Sequence, residues 1–169
     1  GATFRQNDGW LSTHEATQGF AKGSSATFLL ETRVTNIEQD GQGVCAVETD
    51  RGTIATRVVV NAAGPFAGVV GRMAGIELPL EPVRRQKAFI SPKPQIPQDA
   101  PLTIDVVQDV YWRPETGGAY IAWVDPNEPV SEPAEELPPD WDYPAIVLDK
   151  LIRLNPFWEE VAEELKGED

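Results

Sequence analysis

Residues 57–71 read RVVVNAAGPFAGVVG, and their order fixes how the rest of the chain is parsed. Three successive β-branched residues, Val58-Val59-Val60, have the pattern of a strand covered on both faces of a sheet. Asn61-Ala62-Ala63-Gly64-Pro65 ends that strand, and residues 66–74 follow as a helix with Pro65 near its first turn and Gly75 as its stop. Two alanines and a glycine at a strand-to-helix junction let the backbone come close to a ligand, with amide donors and the positive end of a helix nearby. An Ala-Gly corner that only turns the chain gives the same letters, so both readings stand at this point.

Upstream, Ser12 or Thr13 caps an expected helix over residues 12–22, with Glu15 at capping-box spacing from Ser12. Leu11, Ala16, Phe20 and Ala21 give it a modest apolar side, and Gly23-Ser24-Ser25 stops it. Strands are expected over 27–38 and 44–49, with a third starting at 53–57. Turn-rich segments at 39–43 and 50–52 join them into an antiparallel meander. Residues 41–46, GQGVCA, match the G-x-G-x-x-A spacing of a dinucleotide loop. The residues that follow alternate as a strand rather than opening a helix, so the segment reads as a hairpin.

Downstream, strands are expected over 80–91 and 102–107, separated by the proline-rich loop 92–101. A second hairpin joins 110–114 to 119–124 across Glu115-Thr116-Gly117-Gly118. A helix covers 145–154, Asn155-Pro156 breaks it, and a short helix covers 157–165. Mixed strands with few helices give an α+β (mixed α/β) fold class.

The chain has 169 residues, enough for one domain or two small lobes. Lys and Arg number 14 against 27 Asp and Glu, a net charge of −13, which argues against nucleic acid or an anionic membrane as partner. Most of the acid lies in residues 125–169, read as a solvated face and an acidic tail. Cys45 is the only cysteine. It excludes an internal disulfide, suggests no metal-thiolate site, and reads as a small hydrophobe rather than a nucleophile. No run of 18 apolar residues and no leader pattern is seen, so no membrane span and a cytoplasmic setting are expected. His14, in the first helical turn, reads as a cap or surface residue rather than a general base.

Tyr111, Trp112, Arg113 and Tyr120 are the polar-aromatic candidates for a small-molecule site. Strand alternation puts Tyr111 and Arg113 on one face and Trp112 on the other. An arginine can take a carboxylate in a bidentate way, although Arg113 could equally pair with one of the chain's many acids. Arg84, Arg85, Gln86 and Lys87 form the one basic cluster, expected to alternate and to be solvated or sheet-spanning.

In order, DGWLSTHEATQGFAK, ETRVTNIEQDG, ETDRGTIATRVVVNAAGPFAGVV, LPLEPVRRQ and VYWRPETGGAYIAWVDPNEP resemble the D-amino acid oxidase superfamily of FAD-dependent oxidoreductases. The nearest branch is that of sarcosine oxidase, glycine oxidase and D-amino acid dehydrogenase, and the resemblance covers residues 8–158. It implies FAD as cofactor and oxidation of the C–N bond of an amino acid or secondary amine, with a hydride passed to the flavin. Residues 1–78 would be a partial FAD-binding domain and 79–169 a substrate-domain portion with acidic C-terminal helices.

On this resemblance Val34 would contact the adenine, Ala62, Ala63 and Gly64 would pack against the ribityl and pyrophosphate region, and Tyr111 and Arg113 would face a small amine or amino acid substrate. No catalytic side chain and no metal ligand is implied. The family's N-terminal G-x-G-x-x-G unit and its closing segment are not matched. The chain is therefore expected to be a central fragment, inactive alone and without retained FAD, and pairing of copies is expected where apolar surface is uncovered. The alternative is a stand-alone, non-catalytic binding module of the same fold.

Overall fold

The computed structural model describes residues 1–166; residues 167–169 of the acidic tail lie outside the described residues. The chain falls into two compact units. One comprises residues 19–83 with 129–135, and the other residues 1–18, 84–128 and 136–169. Helix α1 (Thr13–Gly23) starts where the sequence places it: the Ser12 hydroxyl accepts from the Glu15 amide at 3.2 Å. It buries none of its residues, and Phe20 is exposed.

The first unit is built on the expected antiparallel meander: β1 (Val34–Asp40), β2 (Gly43–Thr49) and β3 (Gly52–Ala55), in the order β1-β2-β3. The β1–β2 turn is tied by the Asp40 carboxylate, which accepts from the Gln42 amide at 2.8 Å and pairs with Arg57 at 2.8 Å. The Gln42 amide first, and then Arg57, hold the Asp40 carboxyl below its usual range. Residues 41–46 thus form a hairpin and the first part of β2, not a phosphate loop. The single-turn 3₁₀ helix Gly64–Phe66 leads into α2 (Ala67–Met73), capped at Ala74, and Gly75, with φ of 69°, turns the chain just after it.

Two expectations in this unit fail. The first strand begins at Val34 rather than at residue 27, because residues 27–33 make no ladder and Phe28, Leu29 and Leu30 stay exposed. The buried strand expected at Val58-Val59-Val60 does not form: these residues join no ladder, with Val58 75 % and Val60 83 % exposed. Burial of such a run needs hydrogen-bonded neighbours on both sides, and no described strand supplies one.

The second unit is a four-stranded antiparallel sheet with helices on one face. Its strands are β4 (Ala88–Ile90), β5 (Thr103–Asp105), β6 (Val110–Glu115) and β7 (Gly118–Trp123), ordered β4-β7-β6-β5. The runs expected over 80–91 and 102–107 shorten to three paired residues each. The β6–β7 hairpin closes on a two-residue turn. Thr116 and Gly117 have φ of 49° and 81°, the doubly positive pattern that fits the twist of the flanking strands. A side chain at Gly118 would collide with the Ile90 carbonyl, so a glycine there lets β4 lie against β7.

Alternation along β6 buries Val110 and Trp112, and on β7 Ala119 and Ile121 share that inner face. Helices α3 (Tyr143–Leu154) and α4 (Phe157–Lys166) cover it with Val147, Leu151, Trp158 and Val161. Trp112 meets Trp158 edge to face at 5.3 Å and Phe157 at 5.4 Å, geometries that add to plain area burial. The Tyr143 hydroxyl donates to the Gln86 carbonyl at 2.6 Å and accepts from the Trp123 amide at 2.8 Å, pinning the start of α3 to the end of β7 and to the segment leading into β4. At the far end Lys93, almost fully buried, pairs with Glu164 of α4 at 3.1 Å, and Gln95 donates to the same carboxylate.

Leu151, fully buried under the sheet, should lose about 2–5 kcal/mol of stability on Leu151→Ala, read from urea unfolding. Lys93, then Gln95, depress the Glu164 carboxyl. The stabilisation from this pair is therefore complete above the unfolded carboxylate value of 4.5 and fades as pH falls through the lower folded value. Melting temperatures of wild type and Glu164→Gln should differ at neutral pH and converge in acid; a gap that persists in acid refutes the assignment.

Candidate functional site

In the first unit the residues expected at the cofactor are Val34, Ala62, Ala63 and Gly64. Val34 opens β1 and is half-buried, paired opposite Thr49. The Ala-Gly turn is shaped by a residue the sequence reading passed over. The Asn61 side chain accepts from the Ala63 amide at 3.3 Å and donates to the Ala67 carbonyl at 2.9 Å, bracing the turn from both ends. Its signal was visible, since Asn two residues before a turn amide is the usual start of such a brace. Gly64 has φ of 56°, a conformation that L side chains rarely adopt, and a Cβ there would meet nothing within 4 Å. The turn is thus a small-residue ledge with open space over it, as the close approach of a ligand requires.

In the second unit Tyr111 and Arg113 lie on the sheet face opposite the helices, as alternation implied, and Trp112 is in the core. This outer face also carries Phe89 and Tyr120, whose rings meet edge to face at 5.4 Å. Arg113 is heavily engaged. Its guanidinium lies 5.1 Å from the Tyr120 ring centre and 5.4 Å from that of Trp10, and it forms an ion pair with Glu115. Glu115 was missed as a site residue, although its i+2 spacing on the same strand puts it on the face of Arg113. Burial pushes the Tyr111 phenol up, and the charge of Arg85 pulls it partly back, so the hydroxyl is a proton donor at neutral pH.

Residues 1–167 match the family described as FAD dependent oxidoreductase. The chain belongs to that family. It is 31 % identical over 121 residues to human mitochondrial dimethylglycine dehydrogenase, covering 68 % of this chain and 14 % of that protein. Over 37 residues, 22 % of this chain and 4 % of the relative, it is 60 % identical to mouse mitochondrial sarcosine dehydrogenase. Among solved structures, L-proline dehydrogenase from P. horikoshii superposes with a TM-score of 0.73 at 26 % identity, over 87 % of this chain and 40 % of that one. The chain therefore spans a small part of its curated relatives and less than half of that structure.

The family uses FAD, and the ledge at Ala62–Gly64 suits it: small side chains, a left-handed glycine and unobstructed space above. A dinucleotide also needs backbone donors around its phosphates, often at a helix N-terminus. The one matching glycine spacing in this chain is the β1–β2 hairpin, which is already closed by its own ladder. Among the described residues the ledge leaves open space above Gly64, and the glycine spacing of residues 41–46 forms no phosphate cradle.

Asn61→Ala should loosen the turn without unfolding the unit. The Ala63 and Phe66 amides should exchange with solvent several-fold faster, consistent with about 0.5–1.5 kcal/mol per lost hydrogen bond. Unchanged exchange at both amides would contradict the brace.

Proposed function

We propose that this chain is the central portion of an FAD-dependent oxidoreductase that oxidises the C–N bond of an amino acid or secondary amine. The observation that carries the reading is the Asn61-braced ledge with its left-handed Gly64, set within a family match that runs almost the whole chain. Residues 1–78 would serve the cofactor and residues 79–169 the substrate.

FAD, when bound, would accept the hydride from the carbon that carries the amine. The chain's own residues bind and orient. Val34 would offer its backbone to the adenine, and Ala62, Ala63 and Gly64 would let the ribityl and pyrophosphate region come close. Tyr111 and Arg113 would line the substrate side on the open sheet face, where Phe89 and Tyr120 provide an apolar wall for the amine carbon. Glu115 balances the charge of Arg113 and fixes its plane. No general base is required of the protein, because loss of hydride from a neutral amine needs none. The unpaired apolar residues Val58 and Val60 support a role within a larger sheet.

The 169-residue polypeptide alone should not hold stoichiometric FAD and should not turn over substrate, since a large share of dinucleotide affinity comes from the phosphate cradle. Titration with FAD followed by absorbance after gel filtration, then assays on N-methyl and D-amino acids, tests this. A yellow protein near unit occupancy would overturn the incompleteness of the site. A longer polypeptide that includes an in-frame G-x-G-x-x-G unit, yet binds no flavin, would overturn the assigned activity.

A further inference from the structure

The four-stranded sheet ends in two edges, β4 and β5, and they are guarded differently. An open edge strand offers unpaired amides and carbonyls to any second strand, and charged side chains along it normally discourage such pairing. The approach to β4 carries Arg84, Arg85 and Lys87. Residues 100–108, APLTIDVVQ, carry a single charge, Asp105. Its carboxylate is turned back on its own chain, where it accepts from the Val107 amide at 2.8 Å and from the Gln108 side chain at 3.0 Å. No described strand pairs with the free side of β5.

Exposure alternates along this edge. Leu102, Ile104 and Val106 are 42 %, 60 % and 81 % exposed, while Thr103 and Asp105 between them are half-buried. Apolar side chains exposed in a row on an unguarded edge mark a contact surface. Their order says what fits it. Antiparallel pairing of two copies about a two-fold axis at Ile104 sets Ile104 against Ile104, Leu102 against Val106, and Thr103 against Asp105. Each exposed apolar residue then meets another, and each Asp105 meets a hydroxyl-bearing residue rather than a like charge. The registers on either side are worse. An axis at Asp105 opposes two carboxylates, and an axis at Thr103 brings Pro101, which has no amide hydrogen, opposite Asp105. Copies with a net charge of −13 repel one another over most of their surface, so a nearly uncharged edge is where they can meet.

We propose that β5 is a self-pairing edge, through which two copies of this chain join antiparallel about a two-fold axis at Ile104. The four strands of each copy then form one continuous sheet. The pairing does not depend on the oxidoreductase reading.

Sedimentation of the 169-residue chain tests it. A concentration-dependent equilibrium between monomer and dimer is expected, with nothing larger, because a two-fold contact closes on itself. Added salt should strengthen the dimer by screening the repulsion between acidic copies. Ile104→Lys, which alters an exposed side chain, sets two ammonium groups face to face and should weaken association about tenfold or more. Cross-linking reads the register, since opposed residues have Cα atoms about 4.5–5.5 Å apart, within reach of a disulfide. In a Cys45→Ala background, Ile104→Cys should cross-link to a dimer under mild oxidation. Leu102→Cys and Val106→Cys should each fail alone and cross-link when mixed. A chain that stays monomeric at millimolar concentration, association that weakens with salt, a dimer indifferent to Ile104→Lys, or equal cross-linking by all three single variants overturns the pairing.

Discussion

The contact between Trp112 and Trp158 decides the use of the second unit's sheet. Both rings are almost wholly buried, and burial of such groups is worth about 1.5–3 kcal/mol each before their edge-to-face geometry is counted. The contact commits α4 to one face of β6. Because side chains alternate along a strand, committing Trp112 inward sends Tyr111 and Arg113 outward together. The inner face is apolar apart from two buried indole N–H groups, which find no acceptor among the described residues. Whatever polar recognition this sheet performs is confined to its other side.

The first unit is organised differently. Its meander is made by local turns, and only Ile37, Ala46 and Gly71 are fully buried within it. Its apolar surface, at Phe28, Leu29, Leu30, Val58 and Val60, lies outward. Exposed apolar residues in such number are typical of a surface that meets more protein. The ledge at Gly64 keeps its shape here by short-range bonds from Asn61, which do not depend on that outer covering.

Local chemistry explains what the sequence made legible. Ser12 with Glu15, Asp40-Gly41, Thr116-Gly117 and the break at Asn155-Pro156 each act within a few residues, and all mark element ends within one or two positions. The hairpin that imitates a dinucleotide loop was separable because its alternation extends past the glycines. Val58 to Val60 were misjudged for the opposite reason: a run of valines reports a demand for neighbours, not their presence. The state of Arg113 was equally hidden, since a charge count shows that acids abound and not that Glu115 is the one in reach.

The Tyr143 hydroxyl joins carbonyl and amide groups 57 and 20 residues away along the chain. Neither bond can form until two long loops have closed, and closure of long loops is the slow part of building non-local structure. The β6–β7 hairpin and α3, by contrast, rest on local contacts. The hydroxyl is therefore expected to engage after the barrier to folding has been crossed, so that its energy slows the opening of the unit far more than it hastens the assembly. A single oxygen atom, placed where a helix begins, is thus expected to add to the time the finished sheet stays shut.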